Sequence, residues 1–215
     1  MQDRPARYDA VVFDLLTALL DSWSLWNSVA GSSEAGLAWR RRYLDVTYGC
    51  GPYRPYEVLV AEAAAAAGLP IALAGDLVRR WGELRPWPEA AGVLGELGRR
   101  LPLAVVTNCS ARLGRAAADR VGATFRHVIT AEEVGYYKPR PEPYLAALRA
   151  LGTRPERTLF VAGSAADVPG ASGVGMPVYW HNRARLPARE GQPAAAEEAS
   201  LLALPAAVLG GIGSP

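Results

Sequence analysis

The sequence predicts an α/β protein: a doubly wound parallel sheet core with a helical cap inserted after the first strand. Two observations carry this prediction. Short, almost wholly apolar runs recur along the chain with helical stretches between them, which is the pattern of strands buried on both faces. Between the first two runs lies a long interval whose pattern is helical almost throughout.

The first strand is the run around Val11, Val12 and Phe13, closed by Asp14. The helical interval spans about 20–86. Within it, Ser33 to Leu44 carries apolar and aromatic residues at helical spacing, and Tyr56 to Ala67 is rich in strong helix formers. Turn-rich segments at Gly31–Ser33 and Arg85–Pro88 read as its exits. An amphipathic helix over Pro88–Arg100 leads into a second strand at Leu103–Val106, and Ala111–Val121 is helical again. Further strands follow at Val128–Ile129, Thr158–Val161 and Pro177–Trp180. Leu186–Ala199 reads as an exposed loop and Ser200–Leu209 as a last short helix. The organisation is a Rossmann-like core of residues 1–19 and 87–215 with a cap of residues 20–86, without internal repeats.

A chain of 215 residues, half hydrophobic and one fifth charged, buries a substantial core. Its net charge of +2 gives no case for nucleic acid or a membrane surface as partner. No apolar stretch has the length of a membrane span, and residues 1–7 are not followed by the apolar segment of a leader, so a cytoplasmic protein is expected. Cys50 and Cys109 show neither metal-ligand spacing nor a disulfide framework and are expected to be reduced. Lys138 is the only lysine of an arginine-rich chain, which singles it out for a specific role.

Four polar segments end or follow the strands, where open α/β sheets place their active sites. They are Asp14, then Thr107 to Ser110, then Lys138 to Tyr144, then Gly163 to Asp167. A strand-end carboxylate suits a nucleophile. Leu16, two residues on, cannot move a proton.

On these four segments the chain resembles the haloacid dehalogenase superfamily, whose motifs are an Asp nucleophile, a Ser or Thr, a Lys and a terminal acidic loop. In the superfamily's phosphatases an Asp stands two residues after the nucleophile and a Gly-Asp pair helps hold Mg²⁺. Here those places are Leu16 and Ala162-Gly163. The chain is more similar to the L-2-haloacid dehalogenase branch, which works without metal and acts on a small anionic substrate.

That resemblance implies Asp14 as nucleophile, Lys138 as the cation that keeps it ionised, and Thr107 as a further catalytic residue. It implies that Arg40, Thr107 and Asn108 meet the carboxylate or halide, that Tyr144 supports the pocket, and that Asp167 orients Lys138 or the hydrolytic water. Arg41 and Arg42 read as a solvated face. No cofactor is implied, and cap helices of this kind leave a homodimer open. The chain departs from the branch at Thr17-Ala18, where the family has Gly-Thr. It departs again at Ser164, where an Asn positions the ester-cleaving water, and at Ala166, where an aromatic residue walls the halide pocket. Two alternatives follow: a Mg²⁺-dependent phosphatase, and a non-catalytic or biosynthetic accessory protein that keeps the fold for binding. His127, His181 and the tryptophans of the cap read as structural, with one of Trp23, Trp26 and Trp39 allowed as a pocket wall.

Overall fold

The computed structural model describes residues 6–191 and 193–210. Six parallel strands form one sheet in the order β3-β2-β1-β4-β5-β6. They are β1 (Ala10–Asp14), β2 (Leu103–Thr107), β3 (His127–Thr130), β4 (Thr158–Ala162), β5 (Val178–His181) and β6 (Ala196–Glu198). The order reverses between β1 and β4, the switch point at which doubly wound sheets open a crevice at the strand C-termini. Asp14 ends β1 there, with the loop after β4 directly beside it.

The unbroken apolar runs follow from burial on both faces. Val11 and Phe13 point to one core with Val105 and Val161, while Val12 points to the other with Val106 and Phe160. The first face is covered by α5 (Ala90–Gly98), α6 (Ala111–Arg120) and α10 (Leu204–Leu209), through Leu94, Leu113 and Val208 among others. The second is covered by α8 (Pro141–Leu151) and α9 (Asp167–Ser172), through Tyr144, Ala147 and Ala171. The short α7 (Ala131–Val134) follows β3 behind a capping box of Thr130 and Glu133.

Residues 22–79 carry α1 (Ser22–Ala30), α2 (Ser33–Gly49), α3 (Tyr56–Ala66) and α4 (Ala72–Arg79). Asp21 caps α1 and Ser32 caps α2, each accepting a backbone N–H three residues on. A column of rings holds the helices together: Trp26 lies 4.7 Å from Trp39 and 5.5 Å from Tyr43, and Tyr43 lies 5.5 Å from Tyr56. Trp39 is thus a core anchor, and its indole N–H donates to the Val60 carbonyl at 2.9 Å.

The chain leaves and re-enters the sheet at one place, where Leu20 bridges Pro86 and the Asp21 N–H donates to the Arg85 carbonyl at 2.8 Å. The expected exit at Gly31–Ser33 is therefore corrected. Gly31, at φ 85°, ends α1 in the left-handed region and turns the chain directly into α2. The helices are also tied to the sheet. The Tyr43 hydroxyl donates to the Asn108 carbonyl at 2.8 Å, the Tyr137 hydroxyl to the Arg54 carbonyl at 2.8 Å, and the Trp81 indole to the Leu113 carbonyl at 2.9 Å.

A second correction concerns residues 186–199, where β6 adds an edge strand to β5. An edge strand of three residues, Ala-Glu-Glu, has no second apolar face and leaves no strand pattern in the sequence. Among the described residues, Cys50 and Cys109 are free, and no helix is long and apolar enough to cross a membrane. Residues 1–5 of the leader reading lie outside the described residues.

Candidate active site

Asp14 stands at the crevice with 6% of its surface exposed. Its Oδ2 accepts three hydrogen bonds, from the Thr17 N–H at 2.9 Å, the Thr17 hydroxyl at 2.5 Å and the Ala18 N–H at 3.1 Å. The backbone turns immediately after β1, so a carboxylate at the strand end meets the amides of the next turn, as a helix cap does. Its Oδ1 accepts from the Lys138 ammonium at 2.8 Å. The same ammonium donates to Asp167 Oδ2 at 3.0 Å, and the Tyr144 hydroxyl donates to Asp167 Oδ1 at 2.8 Å.

The sole lysine thus bridges two buried carboxylates. Burial pushes the Asp14 carboxyl up, but the Lys138 charge, the Lys138 hydrogen bond and those from Thr17 outweigh it and hold Asp14 below its usual range. Burial raises Asp167, the Asp14 charge adds to that, and Lys138 and Tyr144 offset it only in part. Burial works against the Lys138 charge, yet the two carboxylates raise it above the ordinary lysine value.

Neighbouring residues set this geometry. The Asn108 side chain accepts from the Lys138 N–H at 2.7 Å and donates to the Lys138 carbonyl at 2.8 Å. The Asp167 N–H donates to the Ser164 hydroxyl at 3.3 Å. A Cβ on Gly163 would stand 2.3 Å from the Ala18 nitrogen and 2.3 Å from Thr17 Oγ1, so glycine lets the loop after β4 press against the loop after β1. A Cβ on Gly170 would meet the Tyr144 hydroxyl at 2.6 Å, so glycine lets α9 pack closely against α8.

A cavity of about 260 Å³ opens beside this cluster, with Thr17, Arg40 and Ala166 as the buried residues of its lining and Ser164 half-buried among them. Of the three consecutive arginines only Arg40 is buried, at 9% exposure; Arg41 and Arg42 are exposed, and Arg42 pairs with Asp45 at 3.6 Å. Arg40 donates to the Ser22 hydroxyl at 2.8 Å, and its guanidinium lies 4.0 Å from the Trp23 ring centroid. Trp23 also lines the cavity and is the tryptophan that forms a pocket wall. Burial lowers the Arg40 pKa and the negative charge of Asp14 partly restores it. No carboxylate lies within ion-pairing distance of Arg40 among the described residues.

The structure brings together Asp14, Lys138, Asp167 and Tyr144, and sets Arg40 and Ser164 at the cavity beside them. It separates two residues from their expected contacts. The side-chain amide of Asn108 is engaged by the Lys138 backbone rather than turned to the cavity. The buried Thr107 hydroxyl lies 3.5 Å from Cys109 Sγ, with its methyl group against Gly114. His181 is structural as expected: Nδ1 meets the Ala18 carbonyl at 2.8 Å, and Arg183 Nε donates to Nε2 at 3.3 Å.

Thr17 was readable only as a displaced hydroxyl, although a Thr three residues after a strand-end Asp is a local hydrogen-bonding pattern. Tyr48 and Leu186–Arg189 also line the cavity. They come from a helix end and a loop without motif, so no sequence signal marked them.

The donor set does not fit Mg²⁺, which takes six oxygen ligands. Lys138 already occupies the space between the two carboxylates, the Leu16 side chain offers no oxygen, and no group of three or more His, Cys, Asp or Glu among the described residues is placed to hold a metal.

A Rossmann-like parallel sheet, helices inserted between β1 and β2 and a strand-end carboxylate held by lysine mark a hydrolase of Rossmann-like fold. Its family follows from comparison: residues 31–175 match the family model described as haloacid dehalogenase-like hydrolase, and the chain belongs to that family. The chain is 30% identical to (S)-2-haloacid dehalogenase H-109 of Pseudomonas putida over 192 residues, covering 81% of this chain and 86% of the relative. It is 28% identical to haloacetate dehalogenase H-2 of Moraxella sp. (strain B), covering 82% and 87%. Among solved structures it is similar to L-2-haloacid dehalogenase from Xanthobacter autotrophicus with chloropropionic acid covalently bound. There the TM-score is 0.79 at 25% identity, over 92% of this chain and 97% of that one.

Proposed function

We propose that this protein hydrolyses small 2-haloacids without a metal, through an ester formed on Asp14, with residues 20–86 acting as the cap. One observation carries the reading. Asp14 is ionised and held at both oxygens, yet the place for a general acid is Leu16.

Arg40 meets the substrate carboxylate. A lone pair of Asp14 Oδ1 attacks C2, the carbon–halogen bond breaks, and the halide leaves with the bonding pair. Halide is a stable anion and needs no proton, which is why Leu16 is compatible with this step.

Water then adds to the Asp14 carbonyl carbon. The developing oxyanion on Oδ2 falls among the three donors of Thr17 and Ala18. The bond from that carbon to Oδ1 breaks, the 2-hydroxy acid leaves with Oδ1 as its hydroxyl oxygen, and Asp14 keeps the oxygen of water. One proton of the water goes to the product hydroxyl. The other passes to solvent by way of Asp167, whose raised pKa suits proton acceptance. C2 is inverted once, because the second step does not touch it.

Asn108 and Tyr144 position Lys138 and Asp167, Thr107 supports the turn that carries Asn108, and Ser164 holds the Asp167 backbone. Free cysteines suit a reducing cytoplasm. A homodimer would form through the apolar surface of Val58 and Ile71, and sedimentation equilibrium would detect it.

The deciding experiment follows chloride release from L-2-chloropropionate in EDTA, with Asp14→Asn as control, and a single turnover in ¹⁸O-water. Chloride release with the label entering Asp14 supports the reading. Phosphate release from phosphomonoesters that EDTA abolishes would replace it with the phosphatase. No labelling of Asp14 by any haloacid would leave the accessory protein.

A further inference from the structure

The cavity beside Asp14 carries more positive charge than a monocarboxylate calls for. Arg40, Arg41 and Arg189 all line it, and no Asp or Glu does. Arg40, like Thr17, is buried, whereas Arg41 and Arg189 are exposed and mark the mouth. No carboxylate lies within ion-pairing distance of Arg41 or Arg189 among the described residues, although the adjacent Arg42 has found Asp45.

Arg189 is held at the mouth by two features. Its guanidinium lies 5.1 Å from the ring centroid of Tyr48, a cation–π contact across the mouth between loop and α2. Its loop is anchored by Asn182, whose Oδ1 accepts from the Leu186 N–H at 2.7 Å and whose Nδ2 donates to the Leu186 carbonyl at 2.9 Å. The rest of the wall is largely apolar, with Leu37, Leu44, Ala165 and Ala166 among its residues. At about 260 Å³ the cavity approaches the ~300 Å³ lower bound of pockets for drug-sized ligands, more than a two-carbon haloacid fills.

We propose that Arg41 and Arg189 form a second anion subsite, so that the preferred substrates are 2-haloacids bearing another carboxylate at the far end, 2-halodicarboxylates. This rests on the haloacid reading above and extends it. The carboxylate next to C2 lies on Arg40, the short carbon chain crosses the apolar wall, and the distal carboxylate meets Arg41 and Arg189 at the mouth. Arginine suits this role because its planar fork binds carboxylate through two parallel N–H groups. Two cations at an open mouth also steer a dianion more strongly than a monoanion, an effect that salt screens.

Two measurements test this, one with turnover and one without. The first compares kcat/KM for L-2-chlorosuccinate with that for L-2-chlorobutyrate, in the wild type, Arg189→Gln, Arg41→Gln and Arg189→Lys. The wild type is expected to favour chlorosuccinate by about threefold or more, the scale that exposed ion pairs allow. Arg189→Gln should erase most of that preference while changing chlorobutyrate much less, Arg189→Lys should restore part of it, and raising salt should reduce it. The second is calorimetric binding of succinate against butyrate, which requires no chemistry.

Tighter binding of succinate that is lost in Arg189→Gln supports the subsite even if no halide is released, in which case the haloacid reading alone fails. Chloride release from 2-chloropropionate with succinate binding no tighter than butyrate overturns the subsite and leaves that reading standing. A wild-type preference for chlorobutyrate, or equal losses on all substrates in Arg189→Gln, also overturns it, in favour of an apolar subsite or a structural arginine.

Discussion

The Asn108 side chain grips the backbone of Lys138 from both sides, accepting from its N–H and donating to its carbonyl. The ammonium at the end of that side chain must meet two carboxylates at once, so a small movement of its backbone breaks one contact or the other. Asn108 belongs to the loop after β2 and Lys138 to the loop before α8, and the clamp joins them at the crevice.

Asn108→Ala is therefore expected to act on the chemical step. A misplaced ammonium lowers kcat by roughly 10- to 100-fold while KM stays within about twofold, the signature of an interaction used in the transition state. Steady-state kinetics with L-2-chloropropionate measure both, and a rise in KM with kcat preserved would return Asn108 to substrate contact.

Thr17→Val removes the hydroxyl on Asp14 Oδ2 and keeps the shape of the side chain. Hydrogen bonds to charged groups contribute about 1.5–3 kcal/mol, so kcat should fall by roughly 10- to 100-fold. Thr17→Ser should retain most activity. Rapid-quench measurement of the ester should show it accumulating in Thr17→Val, since the oxyanion of its hydrolysis loses a donor.

The pH dependence follows from the signs of the shifts. Asp14 is held below its ordinary 3.8, so its contribution to stability is complete above that value and is lost as pH falls through the depressed one. Asp167 is raised above 3.8, so it protonates first on acidification and relieves an unfavourable charge. Lys138 is raised above 10.5, so its contribution is complete below that value and lost as pH rises past the elevated one. Activity is expected to be level through neutrality, to fall on the acid side as Asp167 and then Asp14 protonate, and to fall on the alkaline side only above 10.5. A pH–rate profile from a stopped assay measures this.

Lys138→Met leaves two buried carboxylates without their cation. Removing one partner of a buried ion pair costs about 3–5 kcal/mol, or roughly 10 °C in Tm for a chain of this size. Both carboxyls would then titrate above their ordinary range, so the variant should gain stability between pH 7 and pH 5, where the wild type gains less. Thermal unfolding across pH distinguishes the two, and activity should be absent throughout.

Arg40→Gln and Arg42→Gln separate the buried arginine from its exposed neighbour. Losing a buried charged contact costs about 2–5 kcal/mol, so kcat/KM should fall at least ~30-fold in the first. It should change less than about twofold in the second, because an exposed pair such as Arg42 with Asp45 contributes little. Kinetics on the two proteins check the difference.

Five of the six strands and the fold class were legible in the sequence alone, and so were Asp14, Lys138 and Asp167 as candidates. Strands buried on both faces must be apolar throughout, so each polar segment that closes one stands out, and a lone lysine among arginines marks itself. Shorter-range features resisted such reading. Gly31 carries the same turn signal whether it leaves a domain or joins two helices, and β6 is too short and too polar to show a strand's period.

The tertiary structure decided what each site residue touches. Lys138 is 124 positions from Asp14, and the side on which Asn108 finds its partner depends on how two loops meet across the sheet. Which of Arg40, Arg41 and Arg42 enters the cleft is set by how α2 packs against α1 and α3, because one residue of helical rotation moves a side chain by about 100°. Arg189 reaches the cavity from a loop with no motif at all. Local sequence specifies local geometry, whereas hydrogen bonds and charges between distant segments depend on packing that no short window of residues contains.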